Sequence, residues 1–249
     1  MQGVGVAGCG WAPQVRALSE RYRAVTFDNR GIGQSTSAGA ITIEQLAGDA
    51  LAVMDALSLD RAHVVGHSMG GVIAQELALR APDRVQSLSL LCTFSRGAEA
   101  TALSPWLVWI GLRTRLGTRR MRRLAFLEMV APRGLLERGD RDALAAELSE
   151  VFGRDLADQP SAAMAQLRAL SRYDAGERLR EITAPTLVVS AAEDRIARPE
   201  HGRRLAEAIG GARFVELPGA SHAVVVHDAA GVNALLLEHL ASASAQSAA

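Results

Sequence analysis

Strand-like and helix-like segments alternate along this chain, and the alternation predicts an α/β fold: a mostly parallel sheet with helices on both faces. Three observations carry the prediction. Short apolar runs with strand character recur at 62–66, 85–91, 185–191 and 213–217. Helical spacing of apolar residues fills intervals between such runs, at 42–57, from Met69 onward and near 199–209. The first of the runs also ends in Gly66-His67-Ser68-Met69-Gly70, a serine between two glycines where a strand turns into a helix.

Taken in order, 23–28 (Arg-Ala-Val-Thr-Phe-Asp) reads as a buried strand closed by Asn29-Arg30-Gly31-Ile32-Gly33. Residues 42–57 place Ile43, Leu46, Ala47, Leu51, Met54 and Leu57 on one helical face. Strand 62–66 and the helix from Met69 follow, and Pro82-Asp83 marks a break before strand 85–91. From about 93 to 184 the strand pattern stops. Helical segments are expected there at about 102–114, 118–130, 140–152 and 161–172, separated by Gly117, Pro132, Gly139 and Pro160. Strands resume at 185–191 and 213–217, flanking the helix near 199–209, and a last helix spans about 224–240. The expected organisation is therefore a core of 1–92 and 185–240 interrupted by a helical insert, 93–184. The Ala-Ser-rich tail, 241–249, is expected to be disordered.

Bulk properties narrow the function. The 249 residues are 49% hydrophobic and 22% charged, with a formal net charge of zero, the composition of an ordinary globular protein. Nothing in that balance calls for nucleic acid or an anionic membrane. All 27 basic residues are arginine, which excludes lysine Schiff-base chemistry and a Walker-type phosphate loop. Cys9 and Cys92 have neither metal-ligand nor disulfide spacing, and Cys92 reads as a small buried apolar residue. The N-terminus lacks the basic and apolar regions of a signal peptide. The most apolar stretch, Leu103–Leu112, is half the length of a membrane span. A cytoplasmic protein is expected.

A serine hydroxyl needs a base to become a nucleophile, and the base needs an acid to orient it. Both partners must lie at the carboxyl ends of strands parallel to the one that carries Ser68. Asp194 follows strand 185–191 and His222 follows strand 213–217, giving the order Ser, Asp, His expected for this elbow. Glu193 rivals Asp194, and His227 rivals His222 from inside the following helix. His67 is expected to pack beside the site, His63 to be structural, and His201 and His239 to lie on helices. The Met69 amide faces the place where an oxyanion would form, and the loop Gln2-Gly3-Val4-Gly5 offers a second donor, the Val4 amide. Asp28, in the loop Asp28–Ser35, reads as scaffolding. Arg113, Arg115, Arg119, Arg120, Arg122 and Arg123 read as a solvated face partly neutralised by nearby acids; the alternative is a patch that attracts acidic substrates. Trp106, Trp109, Phe126 and Met129 are expected to pack the insert against the sheet. His67, Trp106, Trp109 and Met129 are candidates for lining a substrate pocket.

These motifs resemble the α/β-hydrolase superfamily, in particular its 3-oxoadipate enol-lactonase and small carboxylesterase branch. The likeness runs from about residue 3 to 240 and rests on Phe27–Ser35, Thr42–Asp49, His63–Gly71 and Ala184-Pro-Thr-Leu-Val-Val. It implies a triad of Ser68, Asp194 and His222, an oxyanion hole of the Val4 and Met69 amides, and a lid over 93–184. No cofactor and no metal are implied. The serine at position 68 sets the chain apart from haloalkane dehalogenases and epoxide hydrolases, which place aspartate there. The resemblance also implies a strand ahead of the glycine-rich loop, lying between 23–28 and 62–66, with two more before it. The sequence as given starts inside that loop. Coding sequence upstream, a sheet that closes differently and a strand from another chain are the three ways to reconcile this.

The expected activity is hydrolysis of a small carboxylic ester or lactone through an acyl-serine, with self-association left open. Cleavage of C–C bonds, or cofactor-free halogenation or perhydrolysis on the same triad, is the enzymatic alternative. A hydrolase-like domain left inert by the absent strand is the non-enzymatic one.

Overall fold

The structure, a computed structural model, describes residues 1–36, 39–101 and 104–248. After a short turn of 3-10 helix at Gly8–Trp11 come α1 (Ala12–Leu18) and α2 (Ile43–Ala56), then β1 (Ala62–His67), α3 (Met69–Arg80) and β2 (Val85–Leu91). Among the described residues six helices follow without a strand: α4 (Gly97–Thr101), α5 (Pro105–Arg113), α6 (Arg119–Val130), α7 (Arg133–Arg138), α8 (Arg141–Val151) and α9 (Ala163–Arg172). The chain then returns to the sheet with β3 (Thr186–Ala191), α10 (Pro199–Ala208) and β4 (Arg213–Leu217), and ends in α11 (Val224–His227) and α12 (Ala229–Ala248). Residues 102 and 103, expected to begin the helix near 102–114, lie outside the described residues, as does Ala249.

The four strands are all parallel, in the order β1-β2-β3-β4. Every residue of β3 is buried, so both faces of the sheet are covered there, which is why that strand is continuously apolar rather than alternating. The helices α2 and α3 pack on one another, α3 lies on β1 and β2, α10 on β3 and β4, and α12 on β2 and α1. Ser and Thr side chains begin several helices in the way free N–H groups require: Thr42 caps α2, Ser104 caps α5 and Thr118 caps α6. In the helical stretch a second apolar cluster forms around Phe126, Leu127, Leu148, Phe152 and Leu156, with Val6 and Ala223 reaching into it from the rest of the molecule.

Two expectations fail. Residues 23–28 do not form a buried strand: the segment has no regular secondary structure, and Arg23, Ala24, Val25 and Thr26 are exposed. A strand needs a paired neighbour to satisfy its backbone, and among the described residues no strand pairs with this segment. The edge of β1 that faces it is likewise open, apart from Met1. The Met1 ammonium donates to the Val65 carbonyl at 2.7 Å and His67 N–H donates to the Met1 carbonyl at 3.1 Å, the pattern of a parallel ladder one residue long. Burial lowers the Met1 ammonium pKa to about 5. Below Met1 an apolar cavity of about 340 Å3 separates β1 from 23–27, lined by Trp11, Leu18, Phe27, Met54, Val64 and Leu236 among others. The sheet does not close across it.

The tail is the second failure. Helix α12 continues through the Ala-Ser-rich segment to Ala248. Alanine is the best helix former, Ala243 is buried, and the Ser244 hydroxyl lies 3.2 Å from His63 Nε2.

Candidate active site

The turn after β1 explains the glycines around Ser68. A Cβ on Gly66 would stand 2.2 Å from the Gly70 carbonyl oxygen, and one on Gly70 would stand 2.1 Å from the Met1 carbonyl oxygen. Neither fits. Ser68 itself has φ +55° and ψ −122°, a strained conformation for a residue with a side chain. Hydrogen bonds hold its backbone: Ser68 N–H donates to Leu91 O at 2.9 Å, and Ser68 O accepts from Gly71 N–H at 2.9 Å, Val72 N–H at 3.4 Å and the Thr93 hydroxyl at 2.7 Å. The elbow is thereby fastened to the end of β2.

The loops after β3 and β4 bring Asp194 and His222 to it. The Ser68 hydroxyl lies 3.0 Å from His222 Nε2, and His222 Nδ1 lies 2.7 Å from Asp194 Oδ2. Residues 154 and 28 positions apart in sequence thus form one hydrogen-bonded chain. With Nδ1–H donating to the carboxylate, Nε2 is left as the acceptor for the serine hydroxyl. The other oxygen of Asp194 accepts from Ile196 N–H at 2.8 Å and Ala197 N–H at 2.9 Å, and its side chain is wholly buried. Glu193 is turned away: its carboxylate accepts from Arg133 N–H. His227 sits on α11 and is not part of the chain of bonds.

His67 occupies a place composition alone could not assign. It is buried, its Nε2 lies 2.8 Å from the His222 carbonyl oxygen, and the two imidazoles are 4.9 Å apart. Burial, with the neighbouring His222 in second place, lowers its pKa to about 3. It is therefore neutral at working pH and donates from Nε2. Cys92, at φ +45° just past β2, is buried as its apolar setting suggested, and burial together with the charge of Asp194 raises its thiol pKa. Its closeness to the acid was not legible from its spacing.

The glycine-rich loop lies against the serine. A Cβ on Gly3 would be 3.1 Å from Ser68 Cβ and 3.5 Å from Ser68 Oγ. Asn29 donates to the Gln2 carbonyl at 3.0 Å, and Asp28 accepts from Gly8 N–H at 2.7 Å, so Asp28 serves as scaffolding. The Met69 amide opens α3, where a helix leaves its first N–H groups without intrahelical acceptors.

The other expected site residues take several settings. Arg195 lies over the Trp106 ring at 3.5 Å. Trp109 is 59% exposed, with Arg113 over its ring; it does not pack against the sheet, because α5 turns that face to the surface. Phe126 packs edge-on against Phe152, and Met129 lies on the same cluster. Of the arginine run, Arg113 pairs with Glu128, Arg119 with Asp155 and Asp158, Arg120 with Asp142, and Arg123 with Asp155. With Arg115 set against Met164 Sδ instead of an acid, that is a partly neutralised face. His63 bonds to Ser87 and Ser244, and His201 lies beside Glu99. Among the described residues no group of three or more His, Cys, Asp or Glu could hold a metal ion, and no helix is long and apolar enough to cross a membrane.

A parallel sheet that presents a serine elbow between β1 and α3, with an acid and a histidine on the loops after the next strands, is the architecture of an α/β hydrolase. The family model for the alpha/beta hydrolase fold matches residues 4–229, and the chain belongs to this family. It is 32% identical over 256 residues to the "Putative carbamate hydrolase RutD" of Variovorax paradoxus (strain S110), spanning 98% of this chain and 91% of that protein. Among solved structures it is similar to the enol-lactonase from Burkholderia xenovorans LB400, with 33% identity, a TM-score of 0.79, and 96% and 89% of the two chains covered. It is also similar to the "Putative non-heme bromoperoxidase BpoC" of Mycobacterium tuberculosis H37Rv, with 30% identity, a TM-score of 0.83, and 98% and 91% covered. These relatives support hydrolase chemistry for the chain.

Proposed function

We propose that this protein is a serine hydrolase that cleaves a small carboxylic ester or lactone through an acyl-serine intermediate. The observation that carries the reading is the unbroken chain Ser68 Oγ, His222 Nε2, His222 Nδ1, Asp194 Oδ2, at 3.0 and 2.7 Å. His222 takes the Ser68 proton as Oγ attacks the carbonyl carbon, then gives it to the leaving oxygen. In the second half it takes a proton from water as the water oxygen attacks the acyl carbon, and returns that proton to Ser68 Oγ as the bond between them breaks and the carboxylic acid leaves. Asp194 holds the imidazole in the tautomer this requires and stabilises its charged form. The Val4 and Met69 amides receive the tetrahedral oxyanion. Helices α4–α9 form the lid over this site, and an intracellular setting suits a chain with two free thiols.

A fluorophosphonate probe on the whole chain tests the reading. Wild type should label and Ser68→Ala should not; an unlabelled wild type would favour an inert hydrolase-like domain. A p-nitrophenyl ester series and simple lactones then define the acyl group. Likeness to the protein named for bromoperoxidase chemistry favours one second reading, peroxide-dependent halogenation on the same triad. Product analysis with peroxide and bromide separates the two.

A further inference from the structure

The glycine-rich loop beside Ser68 is gripped from the far side by residues of the α4–α9 stretch. Gly3 O accepts from Val6 N–H at 3.3 Å, and Gly5, third in that turn, has φ +70°. Val4 is not among the residues with positive φ, so Gly3–Val6 is a type II turn. Types I and II differ by a flip of the central peptide, here Val4–Gly5, so the orientation of that one peptide decides which way Gly5 N–H and Val4 C=O face. Its N–H donates to Gln166 Oε1 at 2.9 Å, across 161 residues of sequence. Gln166, on α9, is fully buried, and its Nε2 donates to the Arg30 carbonyl at 3.3 Å. The carbonyl of Gly5 accepts from Arg154 Nε at 3.2 Å. Both polar groups of Gly5 are thus held by this stretch, and a Cβ at Gly5 would touch Pro160 and Ala163. Val4 N–H has no protein acceptor among the described residues.

We propose that Gln166, assisted by Arg154, is a positioning residue for the oxyanion hole. It locks the Val4–Gly5 peptide in the type II orientation and so holds the turn, with the preceding Gly3–Val4 peptide and its Val4 N–H, beside Ser68. This rests on the serine-hydrolase reading above. Such a clamp makes the helical stretch part of the catalytic geometry as well as a cover. Lifting α9 would release the turn and the second oxyanion donor together.

The test compares wild type with Gln166→Leu, Gln166→Glu and Arg154→Met in the whole chain. Leucine keeps the volume and removes both hydrogen bonds, glutamate keeps the acceptor for Gly5 N–H, and methionine removes the donor to Gly5 O. Loss of one oxyanion donor costs about 10²–10³-fold in kcat. Gln166→Leu should therefore lower kcat for p-nitrophenyl esters by about 100-fold, with KM changed less than about threefold. Gln166→Glu should recover most of that loss, and Arg154→Met should fall between. Across the series, affinity for a trifluoromethyl ketone that mimics the tetrahedral intermediate should drop in proportion to kcat/KM. Affinity for the product acid should stay level. A merely structural role would move KM and product binding as well. If wild type labels with fluorophosphonate and Gln166→Leu keeps wild-type kcat, or loses kcat and product affinity together, the clamp is overturned and the serine-hydrolase reading stands. A wild type that takes no label overturns both. Should Gln166→Leu not fold, Arg154→Met carries the same test, and an unchanged kcat there overturns the proposal.

Discussion

The two walls of the candidate site are built by different means. On the elbow side, Ser68 stands on a strand ladder: β1 pairs with β2 over six residues, with one register shift between Ala62 and His63, and β2 with β3 over four, and backbone bonds to Leu91 and Gly71 hold the turn. On the other side, the glycine-rich loop has one parallel contact through Met1 and is otherwise held by side chains from distant segments, Asn29, Asp28, Gln166 and Arg154. Backbone ladders tolerate side-chain changes. A loop held by four side chains does not. The elbow should therefore break through its own residues and through Thr93, whose hydroxyl also holds Ser68 O, whereas the loop should break through several residues far from it in sequence.

The largest expected effect is on the elbow's own chemistry. Ser68→Ala should lower ester turnover by about 10⁴–10⁶-fold while leaving the circular-dichroism spectrum unchanged. Asp194→Asn should cost about 10⁴-fold in kcat by reversing the imidazole tautomer; retention of more than a tenth of the activity would show that another group orients His222. Next comes the steric basis of the turn. Gly66→Ala, with a Cβ 2.2 Å from a backbone oxygen, should destabilise the fold by about 3 kcal/mol or more, read as a lowered urea midpoint.

Smaller effects probe the loop wall. Asn29→Ala leaves the buried Gln2 carbonyl without its donor and should cost about 1–3 kcal/mol in stability. It should also cost roughly tenfold in kcat, since a small misplacement of positioned groups is enough for that. A further effect is pH-dependent and small at any one pH step. His67 titrates near 3 in the folded protein and near 6.5 when unfolded. Between these values the unfolded chain binds a proton that the folded chain does not, so stability rises with pH across that window and is lost as pH falls. Removing this group, as in His67→Gln, should shallow the stability-versus-pH slope there by up to one proton, about 1.4 kcal/mol per pH unit. An unchanged slope between pH 4 and 6 would contradict it.

Much of this was legible in the sequence because it is local. The strands β1, β2, β3 and β4 come from short apolar runs, and α2 from a stripe with 3.6-residue spacing. Ser68, Asp194 and His222 each follow a strand, and parallel strands put such positions at one end of the sheet. The segment 23–28 shows the limit. Its pattern suits a strand, but a strand exists only beside a partner, and pattern carries no information about the neighbour. The Ala-Ser tail failed for the opposite reason: its composition suggested disorder, while helix propensity and the contact of Ala243 and Ser244 with the body of the protein kept it helical. Gln166 left one faint sign, a polar residue on the stripe of α9 that also carries Ala163, Ala169 and Leu170.

The sequence by itself determined the α/β class, the strand order of events along the chain and the residues that meet at Ser68, because these follow from periodicity and from where loops leave parallel strands. Only the tertiary structure decided what His67 donates to, which residues clamp Gly5 and that the edge of β1 stays open. Those are contacts between segments as much as 161 residues apart, set by packing geometry that no local pattern encodes.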